Sequence, residues 1–378
     1  MARPGKASAR RAARRLSPDG VAHGHRHDFG GEHRNKAGDA AMKTAKNDPQ
    51  QLGGALLASV SRSFYLSIKV LPKKLREPLG LAYLLARATD TIADTAAAPS
   101  EKRRTHLRAL AQMIRTGSDS EKIALLQKEI VPDDNAEREL LTKIEPCLAW
   151  LASQSAADRT DIVNVLEKII CGQELDILRF ANPNTAVALQ SAGELDEYTY
   201  LVAGCVGEFW TRLYFRHLPG ASKLDGEAMR ELGVNFGKGL QLVNILRDLP
   251  ADLRAGRCYL PASELKAAGV NPSVRESAEL ARPVFDAWLK IAAAHFDDAF
   301  RYIESLRNRR VRLACILPWF IGVRTLALLT KNFPLTTDGR VKVSRREVRA
   351  LLLFAPLAAM SNTVLRLVRA RLKRALKV

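Results

Sequence analysis

From Gln51 onward, apolar residues recur at helical spacing along most of the chain. Leu56, Val60, Phe64 and Ile68 lie four apart and predict a first amphipathic helix. Leu71-Pro72 ends it, because the residue before a proline is pushed out of the helical region. A second helix-forming run begins near Leu75, tolerates Pro78 early, and carries Tyr83, Arg87, Asp90 and Asp94 on one side. Residues 96–100 read as a linker with Ser100 as a helix cap, and 131–135 as a turn. Ile162 to Phe180 is a long amphipathic segment, in which Gly172, Gln173, Glu174 and Asp176 read as a polar helix face. Further helices are predicted over the segments that hold Tyr198–Gly207 and Gln241–Leu249, and over 276–306 and 311–331. The last is strongly apolar from Leu313 to Leu329, but Pro318 and Arg324 interrupt it. A buried helix lining a lipid cavity therefore fits better than a membrane span, which needs about 20 apolar residues. Neither alternating strand patterns nor Gly-rich strand-to-helix turns occur, so the expected class is all-α, which argues against a Rossmann domain.

The two ends differ from this body. Residues 1–50 are rich in Arg, Gly, Ala and His and poor in large apolar residues, the composition of a disordered tail. They contain no apolar run of the secretory kind. Their Arg-rich opening has the look of an organellar transit peptide, which Asp28, Glu32 and Asp39 weaken. His23, His25 and His27 alternate, and a polar tail explains them better than a metal site. Met42 is an alternative start. At the other end, Ala350–Met360 is too short to span a bilayer and includes Pro356. Asn362–Val378 interleaves Val364, Leu365, Leu367, Val368 and Leu372 with Arg366, Arg369, Arg371, Lys373, Arg374 and Lys377. That pattern suits an anionic membrane surface, or a helix docked on the body. The expected division is a basic tail over 1–50, a single helical domain over 51–345, and a basic membrane-surface segment over 346–378.

The formal charge of +19 calls for an anionic partner: nucleic acid, a membrane or a diphosphate. Five scattered cysteines without a CxxC pair argue against a disulfide framework or a zinc site and for a reducing, cytoplasmic setting.

Two acidic pairs narrow the choice. Asp90 and Asp94 are four apart in an apolar helical run, so they stack on one face and repel. Asp248 and Asp252 repeat the spacing, with Asn244 and Gln241 one and two turns before Asp248 on roughly the same face. Arg87 stands just before the first pair, and Arg247 beside the second. An acidic helix end facing water explains one such pair. Two pairs facing each other across an apolar cavity would hold Mg²⁺ and a diphosphate. Pro250 inside the second pair predicts that its helix ends or loosens at Leu249.

Five pieces in order carry a resemblance to the squalene/phytoene synthase family of head-to-head isoprenyl transferases. They are Ser61-Arg62-Ser63-Phe64, Tyr83 to Asp94, Tyr198 through Val202-Ala203-Gly204-Cys205-Val206-Gly207, the second Asp segment, and Gly256-Arg257-Cys258-Tyr259-Leu260-Pro261. Arg307-Asn308, Ile316-Leu317-Pro318 and Thr325-Leu326-Ala327-Leu328 look more like squalene synthases than phytoene synthases. The resemblance implies an isoprenoid-synthase fold that joins two farnesyl diphosphates, with Asp90, Asp94, Asp248 and Asp252 holding Mg²⁺ (Mn²⁺ as a substitute). Arg62, Arg87, Gln241, Asn244 and Arg247 would bind diphosphate. Tyr198, Tyr83 and Arg87 would stand at the reacting groups, although a Tyr or a Gly pair on an apolar helix is also ordinary core packing. Squalene synthases add an NADPH-dependent reduction, for which Ser61, Arg62, Lys342 and Arg345 are the candidates. Ser344 departs from the basic run expected there. The alternatives are an enzyme that stops at presqualene diphosphate, or that makes phytoene or dehydrosqualene without NADPH. A non-catalytic basic protein on membrane or nucleic acid would suit the charge but leave both Asp pairs unexplained. The expected partners are farnesyl diphosphate and an anionic membrane, with no nucleic acid, for a chain that acts as a monomer and associates peripherally with membrane.

Overall fold

Helices built on those apolar periodicities make up nearly all of the architecture. The computed structural model describes residues 51–61, 64–181, 186–270, 279–337 and 340–376. The readings placed on residues 1–50 and on Arg62 lie outside the described residues. After a π-turn over Leu52–Leu56, the first half contains α1 (Leu57–Ser61), α2 (Phe64–Lys69), α3 (Lys73–Asp94), α4 (Ser100–Thr116), α5 (Ser120–Glu129), α6 (Asn135–Thr142), α7 (Ile144–Ala152) and α8 (Ala156–Arg179). The second half contains α9 (Ala192–Thr199), α10 (Cys205–His217), α11 (Gly226–Arg254), α12 (Ala262–Ala267), α13 (Arg282–Ser305), α14 (Arg309–Lys331), α15 (Arg345–Met360) and α16 (Asn362–Leu376). The exception is a two-residue parallel pairing of β1 (Val187–Ala188) with β2 (Arg257–Cys258).

Several helices start where short polar side chains satisfy free backbone N–H groups. Asp119, Asp134, Ser155, Ser191, Asp225 and Asn308 each accept a bond from the following turn. Ser100 differs from expectation: it is the first helical residue, and Pro99 holds the cap position.

Helix α11 is the spine. It packs on α10, α13 and α14 and against a π-turn over Tyr200–Gly204 that joins α9 to α10. Its closest approaches are made by glycine. A Cβ on Gly207 would lie 1.9 Å from the Gly233 carbonyl oxygen, and one on Gly237 would lie 2.2 Å from that of Ala203. The expected break at Pro250 does not occur, since α11 continues to Arg254. Pro250 lies one turn from the helix end, so only the bond to the Leu246 carbonyl is lost. Burial of Leu246 and Leu249 (0% and 1% exposed) holds the turn in place.

Helix α14 is, among the described residues, the one helix long and apolar enough to cross a membrane, and 67% of its most apolar window is buried inside the protein. Trp319 and Phe320 are fully buried, and the Trp319 indole donates to the Phe296 carbonyl at 3.0 Å. Helices α15 and α16 pack on α14 and belong to the same compact unit, residues 47–378.

Candidate functional site

A cavity of about 410 Å³ lies among α3, α8, α10, α11 and α14. Gly233, Phe236, Gly237 and Leu240 of α11 line it, then Gln241 and Asn244. This is one helix face, and Asp248 and Asp252 continue it. Helix α3 runs the same way, from Leu79, Ala82, Tyr83 and Ala86 to Asp90 in the wall and Asp94 one turn on. Two helices thus pass from an apolar chamber to a carboxylate end, as the spacing predicts. Trp210, Phe209 and Tyr302 add aromatic surface deeper in.

The carboxylates stand where helices end. Asp94 is the last residue of α3, Asp252 lies in the last turn of α11, and Asp176 in that of α8. Helix C-termini carry partial negative charge, so three carboxylates there repel both the dipoles and one another. Cations offset this. Arg257 pairs with Asp252 at 3.2 Å and also acts on Asp94 and Asp176. Arg87 lies 3.8 Å from Asp90 and is clamped by Glu137. Arg103 donates to the Ala93 carbonyl at 2.5 Å and acts on Asp94. Asp248 is held by Arg247 (3.0 and 2.5 Å) and Arg340 (2.9 and 2.7 Å).

Proton affinities record the imbalance. Burial, then the charge of Asp94, pushes Asp90 up to about 7 against the pull of Arg87 and of Gln173, which donates to it at 2.5 Å. Asp90 keeps 45% of its side-chain surface exposed, and it lines the cavity. Burial lifts Asp176 and Asp252 to about 6, and raises Asp94 as well. Asp248 goes the other way: burial pushes it up, but Arg247 and Arg340 outweigh that and hold it low.

These shifts predict a pH dependence. In the unfolded chain Asp90 loses its proton near 3.8, while in the folded protein it holds it to about 7. Between those values the folded state binds the extra proton, so the contribution of Asp90 to stability falls as pH rises. The melting temperature of the metal-free protein, measured against Asp90→Asn, should therefore decline from pH 5 to pH 8. A difference that is flat or rises with pH would show that Asp90 is not raised.

The donor set fits Mg²⁺. All donors are hard oxygens, and the raised carboxylates gain from a cation between them. Among the described residues no three His, Cys, Asp or Glu side chains form a ready cage. Mg²⁺ commonly binds through one or two carboxylates completed by substrate phosphates, which suits two separate pairs. For a dinucleotide the described residues offer less. Lys342 and Arg345 are exposed. Ser344 caps α15 in a reciprocal box with Glu347 (3.2 and 3.1 Å), which accounts for a serine where a basic residue was expected. The segment passes near the acidic end, because Arg340 reaches Asp248.

Tyr83 lines the cavity and stacks on Phe64 at 5.2 Å, with Ser61 beside its hydroxyl. Tyr198 is not among the cavity-lining residues. It stacks on Tyr259 (4.9 Å) and donates to it at 3.4 Å, and Tyr259 donates to Asp176 at 2.9 Å. Burial holds the Tyr198 phenol well above its ordinary range, so it stays neutral. The reading of Gln173 and Asp176 as merely a polar helix face is corrected: Gln173 is buried on Asp90, and Asp176 is tied to Tyr259. Glu137, Arg103, Arg257 and Arg340 also belong to the site without having been singled out. Glu137 and Arg340 meet partners 50 and 92 positions away, Arg103 and Arg257 reach back to the helix ends just before them, and only the Gly256–Pro261 resemblance pointed at one of the four.

The sequence profile of the squalene/phytoene synthase family matches residues 57–347. The chain belongs to this family. A squalene synthase of Schizosaccharomyces pombe is 25% identical over 316 residues, covering 82% of this chain and 66% of that protein. A bifunctional lycopene cyclase/phytoene synthase of Colletotrichum graminicola is 31% identical over 242 residues, 61% of this chain and 38% of that protein. The chain thus spans under two-thirds of the length of these curated relatives. Among solved structures, the ligand complex of TcSQS superposes with TM-score 0.69 at 21% identity, covering 86% of this chain and 91% of that one. At that identity the likeness establishes the fold, a squalene-synthase-type helical domain.

Proposed function

We propose that the chain joins two farnesyl diphosphates head-to-head into presqualene diphosphate and reduces this to squalene with NADPH. The observation that carries the reading is the apolar cavity whose two helical walls, α3 and α11, both end in paired carboxylates. A prenyl chain occupies the apolar part, and its diphosphate lies at the carboxylate end. Asp90, Asp94, Asp248 and Asp252 would hold Mg²⁺, which would supply charge neutralisation of the leaving diphosphate. Arg87 and Arg247 donate to the departing anion, joined by Arg62 if it follows the family pattern. Gln241 and Asn244 orient the diphosphate at the boundary. The aromatic lining excludes water, which would quench an allylic cation. Tyr198, neutral and tied through Tyr259 to Asp176, is too weak a base to take a proton alone, so it serves as an oriented hydroxyl beside the released diphosphate. Lys342 and Arg345 would meet the phosphates of a nicotinamide cofactor.

A second reading has the enzyme act without NADPH, giving presqualene diphosphate, dehydrosqualene or phytoene. It is favoured by Ser344, which serves as a helix cap within the segment assigned to the cofactor. Product analysis with farnesyl and geranylgeranyl diphosphate, each with and without NADPH, decides. Squalene from farnesyl diphosphate only with NADPH is expected. Cofactor-independent products would support the second reading, and no diphosphate release from either substrate would end both. Residues 1–41 carry no core-forming pattern, so a chain starting at Met42 is expected to keep its kcat. A folded but inactive truncation would give the tail a catalytic role.

A further inference from the structure

Helix α15 has two unlike faces. Ala355, Ala358 and Ala359 are 0–3% exposed and lie on its inner side, where it packs on α14. Arg324 of α14 fixes the approach, donating to Glu347 at 2.8 and 2.6 Å. The outer face bears Leu353, Phe354, Leu357 and Met360, which are 77%, 56%, 54% and 60% exposed. Positions 353, 357 and 360 follow the helical repeat with 354 alongside, so the four make one ridge. A lone exposed leucine is ordinary, but a contiguous apolar ridge marks a contact surface.

The surroundings select the partner. One turn toward the helix start, Arg345, Arg346 and Arg349 are exposed and make no ion pair among the described residues. Residues 345–378 contain nine Lys and Arg and one acid, Glu347, which Arg324 and Ser344 already engage. A second copy would bring the same cations against these, so self-association through this face is opposed by charge.

Helix α16, whose stripe suggested membrane contact, is turned the other way. Leu365 is fully buried, and Val364, Val368 and Leu372 pack against the core. Arg366 bonds Glu304 at 2.5 Å, and Arg369 bonds Asp297 at 2.9 Å and lies 4.2 Å from the Phe300 ring centre. The docked alternative therefore describes α16, which presents Leu367, Arg371 and Arg374 outward.

We propose that the α15 ridge is a bilayer-docking surface. Leu353, Phe354, Leu357 and Met360 seat among the acyl chains of an anionic leaflet, with Arg346 and Arg349 at the headgroups. Helix α14 then lies between bilayer and cavity, since its Ala314, Cys315 and Pro318 line the chamber on one side and α15 packs on it. A short route from chamber to lipid for an apolar product rests on the proposed chemistry. The docking does not, and it is read separately from activity.

The test is co-sedimentation of the full chain with phosphatidylcholine vesicles, with and without phosphatidylserine. The wild type should bind the anionic vesicles. Leu353→Asp combined with Leu357→Asp should weaken binding about tenfold or more, with an unchanged melting temperature and unchanged diphosphate release in detergent. Arg346→Gln with Arg349→Gln should weaken it about fivefold per charge at low salt and less at high salt. As an independent probe, Phe354→Trp should shift its emission to the blue when anionic vesicles are added. No vesicle binding by the wild type, undiminished binding by the Leu variant, or no shift from Trp at 354 would overturn the assignment. A wild-type dimer that the Leu variant splits into monomers would assign the ridge to a second copy and overturn it too. So would retention by an acidic protein without any binding to vesicles.

Discussion

Asp90→Asn and Asp248→Asn are each expected to lower turnover by about two orders of magnitude or more and to raise the Mg²⁺ concentration needed for half-maximal rate. That is the scale on which removing one stabilising contact to a developing anion acts. The carboxamide keeps the size of the side chain and one oxygen acceptor, so the bond from Gln173 to position 90 can persist. What is lost is charge at the point where a cation must sit. The two variants should differ in stability. Asp90 is a strained anion, raised to about 7 by burial and by Asp94, so neutralising it relieves repulsion and should hold or raise the melting temperature near neutral pH. Asp248 is the opposite case, an anion held low by two arginines, and its neutralisation leaves Arg247 and Arg340 with a weaker partner. Rates of diphosphate release and thermal melts on both variants check this. Near-normal turnover in either would remove its pair from the active site.

The all-α class and the two acidic faces were legible because they depend on short-range order. A four-residue spacing on a helix fixes which side chains share a face, whatever packs on it. Family resemblance then supplied what spacing could not, that the two faces meet across one cavity. Long-range partnerships stayed hidden. Asp176 and Tyr259 are 83 positions apart, as are Gln173 and Asp90, and a polar residue on an amphipathic helix looks solvated until its partner is known. Pro250 misled because a local rule was applied without the tertiary support that Leu246 and Leu249 provide. Within the basic segment over 346–378, the membrane stripe was read on the last helix, whereas the docking surface proposed above lies on the helix before it. Alternating basic and apolar residues in α16 match both a docked helix and a membrane helix, and it takes the burial of Leu365 and the ion pairs of Arg366 and Arg369 to separate them. The ridge on α15 was read by length alone, as too short to span.

Gly207→Ala is expected to destabilise the fold by about 3 kcal/mol or more, the range reserved for substitutions that break a packed core. The new Cβ would lie 1.9 Å from the Gly233 oxygen and 2.5 Å from its carbonyl carbon, where ordinary contact needs at least 3.4 Å. The obstacle is backbone, which has no rotamer to escape through, so α10 and α11 must separate. Gly237→Ala meets the Ala203 oxygen at 2.2 Å where α11 packs on the π-turn just before α10, and should behave alike. Separation also reshapes the chamber, because Gly207, Gly233 and Gly237 line it. Close helix packing and room for a ligand's apolar tail, two readings of these small residues, are therefore the same requirement. Gly54→Ala is the control. Its Cβ would meet nothing within 4 Å, and replacing a helical glycine by alanine should be neutral or stabilising by up to about 1 kcal/mol. Chemical denaturation of the three variants beside the wild type reads the comparison. If Gly207→Ala unfolds at the wild-type midpoint, the backbone-to-backbone approach of α10 and α11 is looser than the 1.9 Å contact requires, and the chamber wall is not set by these glycines.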